Sequence, residues 1–275
     1  MESLCIFLIV MALLSDISLG QYCPRDSFIH RLDPRTKLLS VLFLMTALLF
    51  SFRLSILIAF FAVILAAVLG SRLPAALVLR NLRPFLWLFL LTIAVHLFWT
   101  PGRVIARLPI IQAEISEEGL RTGLFYTIRL ALLIIAAALL TLTTSPVELT
   151  DGLERLFKPL KRFRVPVHEI VMMLTLALRF IPTLLEEAQR IRNAQMSRGV
   201  SFEGSLIQRI RNTLPLILPL FFSAFRRADE LAMAMDARCY TGGDGRTSYT
   251  QLAFRFADYA VLLFSAALLL PTFFF

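Results

Sequence analysis

Two arginines, Arg198 and Arg238, close a short phrase that occurs twice, forty residues apart: Ala194-Gln195-Met196-Ser197-Arg198-Gly199 and Ala234-Met235-Asp236-Ala237-Arg238-Cys239. The same offset extends upstream through Leu174/Leu214, Leu176/Leu216, Leu178/Leu218 and Ala188/Ala228. Self-similarity at a fixed spacing marks one supersecondary unit used twice. Each copy reads as an apolar helix that turns polar and stops just after its arginine. The small residues around each arginine let another surface approach the backbone closely. Gly199 suits the left-handed residue that commonly ends a helix. An arginine in a last turn gains about 0.3–1 kcal/mol from the helix dipole, so either copy alone reads as an ordinary cap. Two copies in register read instead as a pair of cationic knobs presented to a partner protein. The chemistry available to such knobs is charge-assisted, two-pronged hydrogen bonding to carboxylates.

Other residues able to do chemistry form no working set. His96, His168, Glu169 and Asp258 are the acid–base groups an intramembrane enzyme would need, yet no two share a helical face within one segment. His168-Glu169 reads as the first turn of a helix, and His96 as a residue near a membrane edge. Cys5, Cys23 and Cys239 are too scattered for a disulfide framework or a metal site. Gly199 to Gly204 has the gap of a phosphate-binding loop, but Ser205 stands where the lysine is required. The loop Gly242-Gly243-Asp244-Gly245 also lacks a following lysine. The chain is therefore expected to be no enzyme and to hold no cofactor or metal. Energy for any work must come from partners.

The elements that carry the two arginines belong to a membrane protein. The 275 residues are 58 % hydrophobic and 17 % charged, with a mean hydropathy of +0.76. Soluble domains sit near 45–50 % apolar and about 25 % charged. The net charge of +9 is spread between hydrophobic runs rather than gathered into an aromatic-interleaved patch, so nucleic acid is not expected as a partner. Residues 3–14 form an apolar run too short to span, and Met11 is expected to be the true initiator. Asp33 and Pro34 suit an N-cap and first helical residue, after the basic residues Arg31, Arg35 and Lys37. Runs at 38–52 and 54–70 form a hairpin divided by Arg53, and 71–83 is a basic interfacial stretch. Further spans follow at 84–99 and 120–143, the second carrying Arg129, which is expected to snorkel toward the outer edge. Ser145, Pro146 and Glu148 make a capping box for the next helix.

Apolar runs at 170–185, with Arg179 and Pro182, and at 214–225, with Pro215 and Pro219, look too short to cross comfortably. They are expected to lie along the membrane face, burying their sides on lipid or another subunit. A last run at 257–275 is long enough for a fifth span. Basic residues crowd 144–252, whereas the loops expected outside carry only Arg53, Arg103 and Arg107. The positive-inside rule then puts the N-terminus, 71–83 and 144–252 in the cytoplasm.

Five markers in order carry a family resemblance: His30 with Leu32-Asp33-Pro34-Arg35-Thr36-Lys37, Thr143-Thr144-Ser145-Pro146 with Glu148-Leu149, Leu178-Arg179-Phe180-Ile181-Pro182, and the two arginine phrases. The chain resembles the transmembrane T subunit of energy-coupling factor (ECF) importers, a branch of the ABC transporters that takes up vitamins or transition-metal ions such as cobalt and nickel. The resemblance implies an all-α integral membrane protein of about five transmembrane helices, with coupling helices in an L-shaped arrangement. It implies two cytosolic ABC ATPase subunits, which bind the ATP, and one membrane-embedded substrate-binding S subunit. Carried over, the ATPase-coupling residues are Ala194, Ser197, Arg198, Gly199, Ala234, Ala237, Arg238 and Cys239. Many members have glycine where Cys239 stands, so the second helix end is expected to be shaped a little differently. The platform beneath the S subunit is expected at Met172, Met173, Leu176, Phe180, Leu216, Leu220 and Phe221. The organisation is then an extension at 1–20, four spans within 21–143, a cytoplasmic coupling domain at 144–246 and a C-terminal span at 247–275, in the plasma membrane. The alternative is a self-contained secondary transporter or channel, which needs polar or broken helices at mid-membrane.

Overall fold

Long apolar stretches with caps at their ends give helices, and the computed structural model is helical almost throughout. It describes residues 22–51, 53–101, 103–108, 113–200, 202, 205–242 and 253–274. The expectations for 1–20, including the start at Met11, and the glycine loop beyond Gly242 lie outside these residues. One unit takes Gln21–Gly152 with Gln251–Phe275, and the other takes Leu153–Thr250.

In the first unit, helices α1 (Pro34–Phe50), α2 (Leu54–Gly70), α3 (Ala75–Arg80) and α4 (Leu86–Trp99) lead to a β-hairpin. Helix α5 (Glu117–Thr143) follows. The stretch 103–118, mixed in charge, contains that hairpin, with β1 (Val104–Leu108) antiparallel to β2 (Ala113–Ser116). The core places Ala47 and Leu48 of α1, Leu57, Phe60 and Ile64 of α2, and Leu132, Ala136, Leu139 and Leu142 of α5 in one cluster. Helix α5 meets α4 by close backbone approach. A Cβ on Gly119 would lie 2.5 Å from the His96 carbonyl oxygen, and one on Gly123 3.3 Å from the Ile93 Cα. Small residues four apart are a common way for membrane helices to pack.

The markers around Asp33 tie helix ends together. Asp33 Oδ1 accepts the Arg35 N–H at 3.0 Å and caps α1, with Pro34 at its first position. The Asp33 N–H donates to Asp258 Oδ1 at 2.9 Å, and the other oxygen of Asp258 accepts the Arg255 N–H at 2.8 Å. That second bond caps α9 (Phe256–Ala267), so one carboxylate, 1 % exposed, joins both ends of the unit. Lys37, only 4 % exposed, donates to the carbonyls of His30 and Thr143, both at 3.0 Å. It thus serves as a cationic cap for the C-terminus of α5, where the helix dipole favours it. Burial holds the His30 imidazole below its ordinary pKa. The neutral ring donates from Nε2 to the Cys23 carbonyl at 3.1 Å and accepts the Ser27 hydroxyl at Nδ1 at 2.7 Å.

The second unit begins within α6 (Pro146–Phe157), whose capping box pairs Ser145 with Glu148 as the sequence implies. Helices α7 (Val167–Ser197) and α8 (Leu206–Asp236) follow, each 31 residues long and each continuing through its internal prolines. The argument from shortness therefore fails for α7. The run at 170–185 is one part of a helix that, with Ala75–Trp99 and Glu117–Thr143, is long and apolar enough to cross a membrane among the described residues. Leu54–Gly70 and Phe256–Thr272 are shorter apolar helices. The last run is not one continuous helix: α9 ends at Ala267 and α10 (Leu270–Phe274) restarts around Pro271. The proline ring clashes with the carbonyl four residues back, which explains the break.

Two outcomes follow from this packing. Gly→Ala on an open helix stabilises by about 1 kcal/mol, but Gly119→Ala is expected to destabilise by about 1–3 kcal/mol because its Cβ meets backbone. The sign of the shift in thermal midpoint, in detergent, checks this. Asp258→Ala leaves the buried Asp33 N–H and the part-buried Arg255 N–H without acceptors, at a cost of about 1–3 kcal/mol for the buried one and less for the other. Hydrogen exchange at the Asp33 and Arg255 amides should accelerate together.

Candidate functional site

A helix leaves its last four carbonyls without intrahelical partners, and α7 and α8 solve this in the same way. In α7 the Gly199 N–H donates to the Met196 carbonyl at 2.9 Å, and the Val200 N–H to the Gln195 carbonyl at 3.1 Å. In α8 the Cys239 N–H donates to Asp236 at 2.9 Å, and the Tyr240 N–H to Met235 at 3.1 Å. These are the two bonds of a Schellman cap, and each lies forty residues from its counterpart. Arg198 and Arg238 each occupy the residue before the left-handed position. Gly199 has φ +87° and Cys239 φ +55°. The second end keeps both cap bonds and differs a little in shape: Cys239 takes the left-handed conformation at a smaller φ, and α8 ends at Asp236, one repeat position earlier than α7 at Ser197. The left-handed cysteine costs about 1–2 kcal/mol.

Exposure repeats as faithfully as hydrogen bonding. Residues 191–200 and 231–240 show the same order of half-buried and exposed positions. Ala194, Ser197, Arg198, Gly199, Ala234, Ala237, Arg238 and Cys239 are all exposed. Nothing lies within 4 Å of a Cβ placed on Gly199, so the site there is open. Between the two helices, Arg227 Nη2 pairs with Glu187 Oε2 at 3.5 Å, and these residues are again forty apart. From that pair, eleven residues of chain lead to Arg198 and eleven to Arg238, two arms of about 16 Å if helical. The ion pair was not legible as a contact, although the repeat offset connects its two members.

The apolar residues singled out on these helices divide. Met173 and Phe221 are exposed, while Met172, Leu176, Phe180 and Leu220 are half-buried. Leu216, at 3 % exposure, is buried within the chain and offers no area to a partner. Its neighbours Leu214, Leu218 and Phe222 are exposed instead.

The acid–base groups are not brought together. His168 Nδ1 bonds Glu154 Oε1 at 2.7 Å, across α6 and α7. Glu169 lies near Gly242, and Asp258 is committed to its two backbone amides. The His96 ring lies 4.9 Å from the Tyr126 ring, with Nδ1 bonded to the Thr92 carbonyl at 2.9 Å. Arg129 does not snorkel. It is 7 % exposed, with its guanidinium 5.1 Å from the Phe125 ring and 5.2 Å from the Tyr126 ring. The hairpin and the Ser116 cap start α5 at Glu117, which sets Arg129 about 18 Å along the axis from its first residue. Of the stretch resembling a phosphate-binding loop, residues 201, 203 and 204 lie outside the described residues.

Comparison with known proteins places these features in a family. The family pattern described as CbiQ, cobalt transport protein, matches residues 25–249. A relative from Heliobacterium modesticaldum is 52 % identical over 257 residues, covering 90 % of this chain and 93 % of its own. One from Acidaminococcus fermentans is 49 % identical over 250 residues, with 90 % and 91 % covered. One from Brevibacillus brevis is 45 % identical over 265 residues, with 94 % and 97 % covered. All three bear the name energy-coupling factor transporter transmembrane protein EcfT.

The equivalence of the two helix ends is testable by exchanging their left-handed residues. Cys239→Gly is expected to stabilise the second cap by about 1 kcal/mol, and Gly199→Ala to weaken the first by about the same amount. Hydrogen exchange at the Val200 and Tyr240 amides reads each cap separately.

Proposed function

We propose that this chain, which belongs to the CbiQ family of energy-coupling factor transporter transmembrane proteins, is the lever that couples ATP hydrolysis by partner subunits to substrate movement. The observation that carries this reading is the duplicated Schellman cap, which presents Arg198 and Arg238 beside the same two bonds on two exposed helix ends. A duplicated receptor suits two cytosolic ABC ATPase subunits, each taking one arginine into an acidic groove. Small neighbours at Ser197, Gly199, Ala237 and Cys239 leave room for the groove walls to approach. Ala194 and Ala234 do the same one turn back.

In this mechanism, ATP is bound and hydrolysed by the two partners. Each guanidinium forms charge-assisted bonds with a partner carboxylate, and losing one such buried contact costs about 2–5 kcal/mol because the partner's acid is left unpaired. Movement of the ATPases carries the arginines with them. The Glu187–Arg227 pair lies eleven residues from each tip, so both arms act at the same chain distance. The resulting motion of α7 and α8 is passed to a membrane-embedded S subunit, which carries the substrate, a vitamin or a transition-metal ion. Met172, Met173, Leu176, Phe180, Leu220 and Phe221 form the apolar surface for that subunit, without Leu216. The charge distribution supports a plasma-membrane orientation with the N-terminus and 144–246 on the cytoplasmic side. The relatives' shared name favours a component of a larger transporter over a self-contained carrier.

The experiment is substrate uptake by cells carrying Arg198→Ala, Arg238→Ala or both. The double variant is expected to insert in the membrane normally, to lose uptake, and to co-purify poorly with the nucleotide-binding subunits. Each single variant should weaken ATPase association by at least about 30-fold, from the lower end of the range for a buried charge pair. Unchanged uptake by the double variant overturns the assignment.

A further inference from the structure

A six-residue 3-10 helix, Lys158–Phe163, follows the end of α6 at Phe157. Side chains three apart eclipse in this geometry, and runs longer than three or four residues are uncommon. The spacing stacks Phe157, Leu160 and Phe163 in one row and Lys158 and Lys161, continued by Arg164, in the next. All three apolar side chains are exposed, Phe163 to 79 %. Lys158, Lys161, Arg162 and Arg164 are exposed as well. No acidic residue lies between Glu154 and Glu169 in the sequence. Arg164 ends the run in a left-handed conformation, φ 61°, with its N–H donating to the Lys161 carbonyl at 3.0 Å.

Water does not suit the apolar row, and an acidic protein face would satisfy the cations while leaving the rings unaccounted for. An anionic phospholipid surface answers both, with acyl chains for the rings and phosphates for the cations. Continuity along the chain favours the same occupant. Helix α7 starts at Val167 and exposes Ile170 and Leu174 in its first two turns. We infer that residues 157–164 are a lipid-docking element, with Phe157, Leu160 and Phe163 entering the headgroup–acyl boundary and Lys158, Lys161, Arg162 and Arg164 binding anionic headgroups. The inference rests on the protein being embedded in a membrane and is independent of the ATPase-coupling reading.

The test uses the full chain, alone and in its assembled transporter, in nanodiscs of phosphatidylcholine with or without phosphatidylglycerol. Phe163→Trp is made with Trp87→Phe and Trp99→Phe, two residues whose exposure means little packing is lost. With phosphatidylglycerol present, the new indole is expected to emit to the blue and to be quenched about twofold by brominated acyl chains. Adding Lys158→Gln, Lys161→Gln, Arg162→Gln and Arg164→Gln should abolish that quenching while the helical circular dichroism is retained. A red, unquenched emission in every disc overturns the proposal. So does shielding that appears only when the nucleotide-binding subunits are present, which would mark a protein-docking surface.

Discussion

Four amide hydrogens, two at the end of α7 and two at the end of α8, fix the backbone on which Arg198 and Arg238 are mounted. Each pair folds the backbone back over its last turn and leaves one arginine at the cap. Without those bonds the last carbonyls would need other partners, and a frayed end would point its side chain in many directions. The caps tie the chain down beside each arginine with the same two bonds. A side chain with several rotatable bonds keeps to one region of space only if its root is fixed, and the caps provide that root. The common position of Glu187 and Arg227 in their repeats extends the duplication from the helix ends into the helix bodies.

The first unit is held by a different economy, in which a few buried polar groups each satisfy more than one backbone end. Asp258 caps its own helix and holds the N-cap residue of α1. Lys37 neutralises the carbonyl end of α5 while binding His30. Glycines at 119 and 123 let α5 lie close to α4. Arg129 lies against the faces of Phe125 and Tyr126, an arrangement that offsets part of the desolvation of a buried cation.

Local signals were legible in the sequence and non-local ones were not. The N-cap at Asp33 and the capping box at Ser145 depend on residues a few positions apart, and each appears as read. The helices of the two arginine phrases stop at Ser197 and Asp236, just before rather than just after their arginines. Cysteine in place of glycine at 239 signals the small difference between the two helix ends, while the shared cap bonds follow from the motif around it. The fully formed pair of cap bonds is compatible with a left-handed cysteine. The apolar run at 170–185 is only part of α7, because polar turns continue the same helix to Ser197. Arg129 and Leu216 depend on which neighbouring helix covers them, and no local spacing contains that. The Asp33–Asp258 bond joins residues 225 apart, with no trace in either neighbourhood. The two glycines of α5 were readable as a packing motif, but an apolar run invites attention to its large residues.

The central claim is that each capped arginine seats in one nucleotide-binding subunit. Cryo-electron microscopy of the assembled transporter measures this directly. The account predicts two densities, at Arg198 and Arg238, each inside a groove of a different ATPase subunit and within hydrogen-bond distance of a carboxylate. Guanidinium groups pointing into lipid or solvent, with the ATPases held elsewhere on the chain, would contradict it.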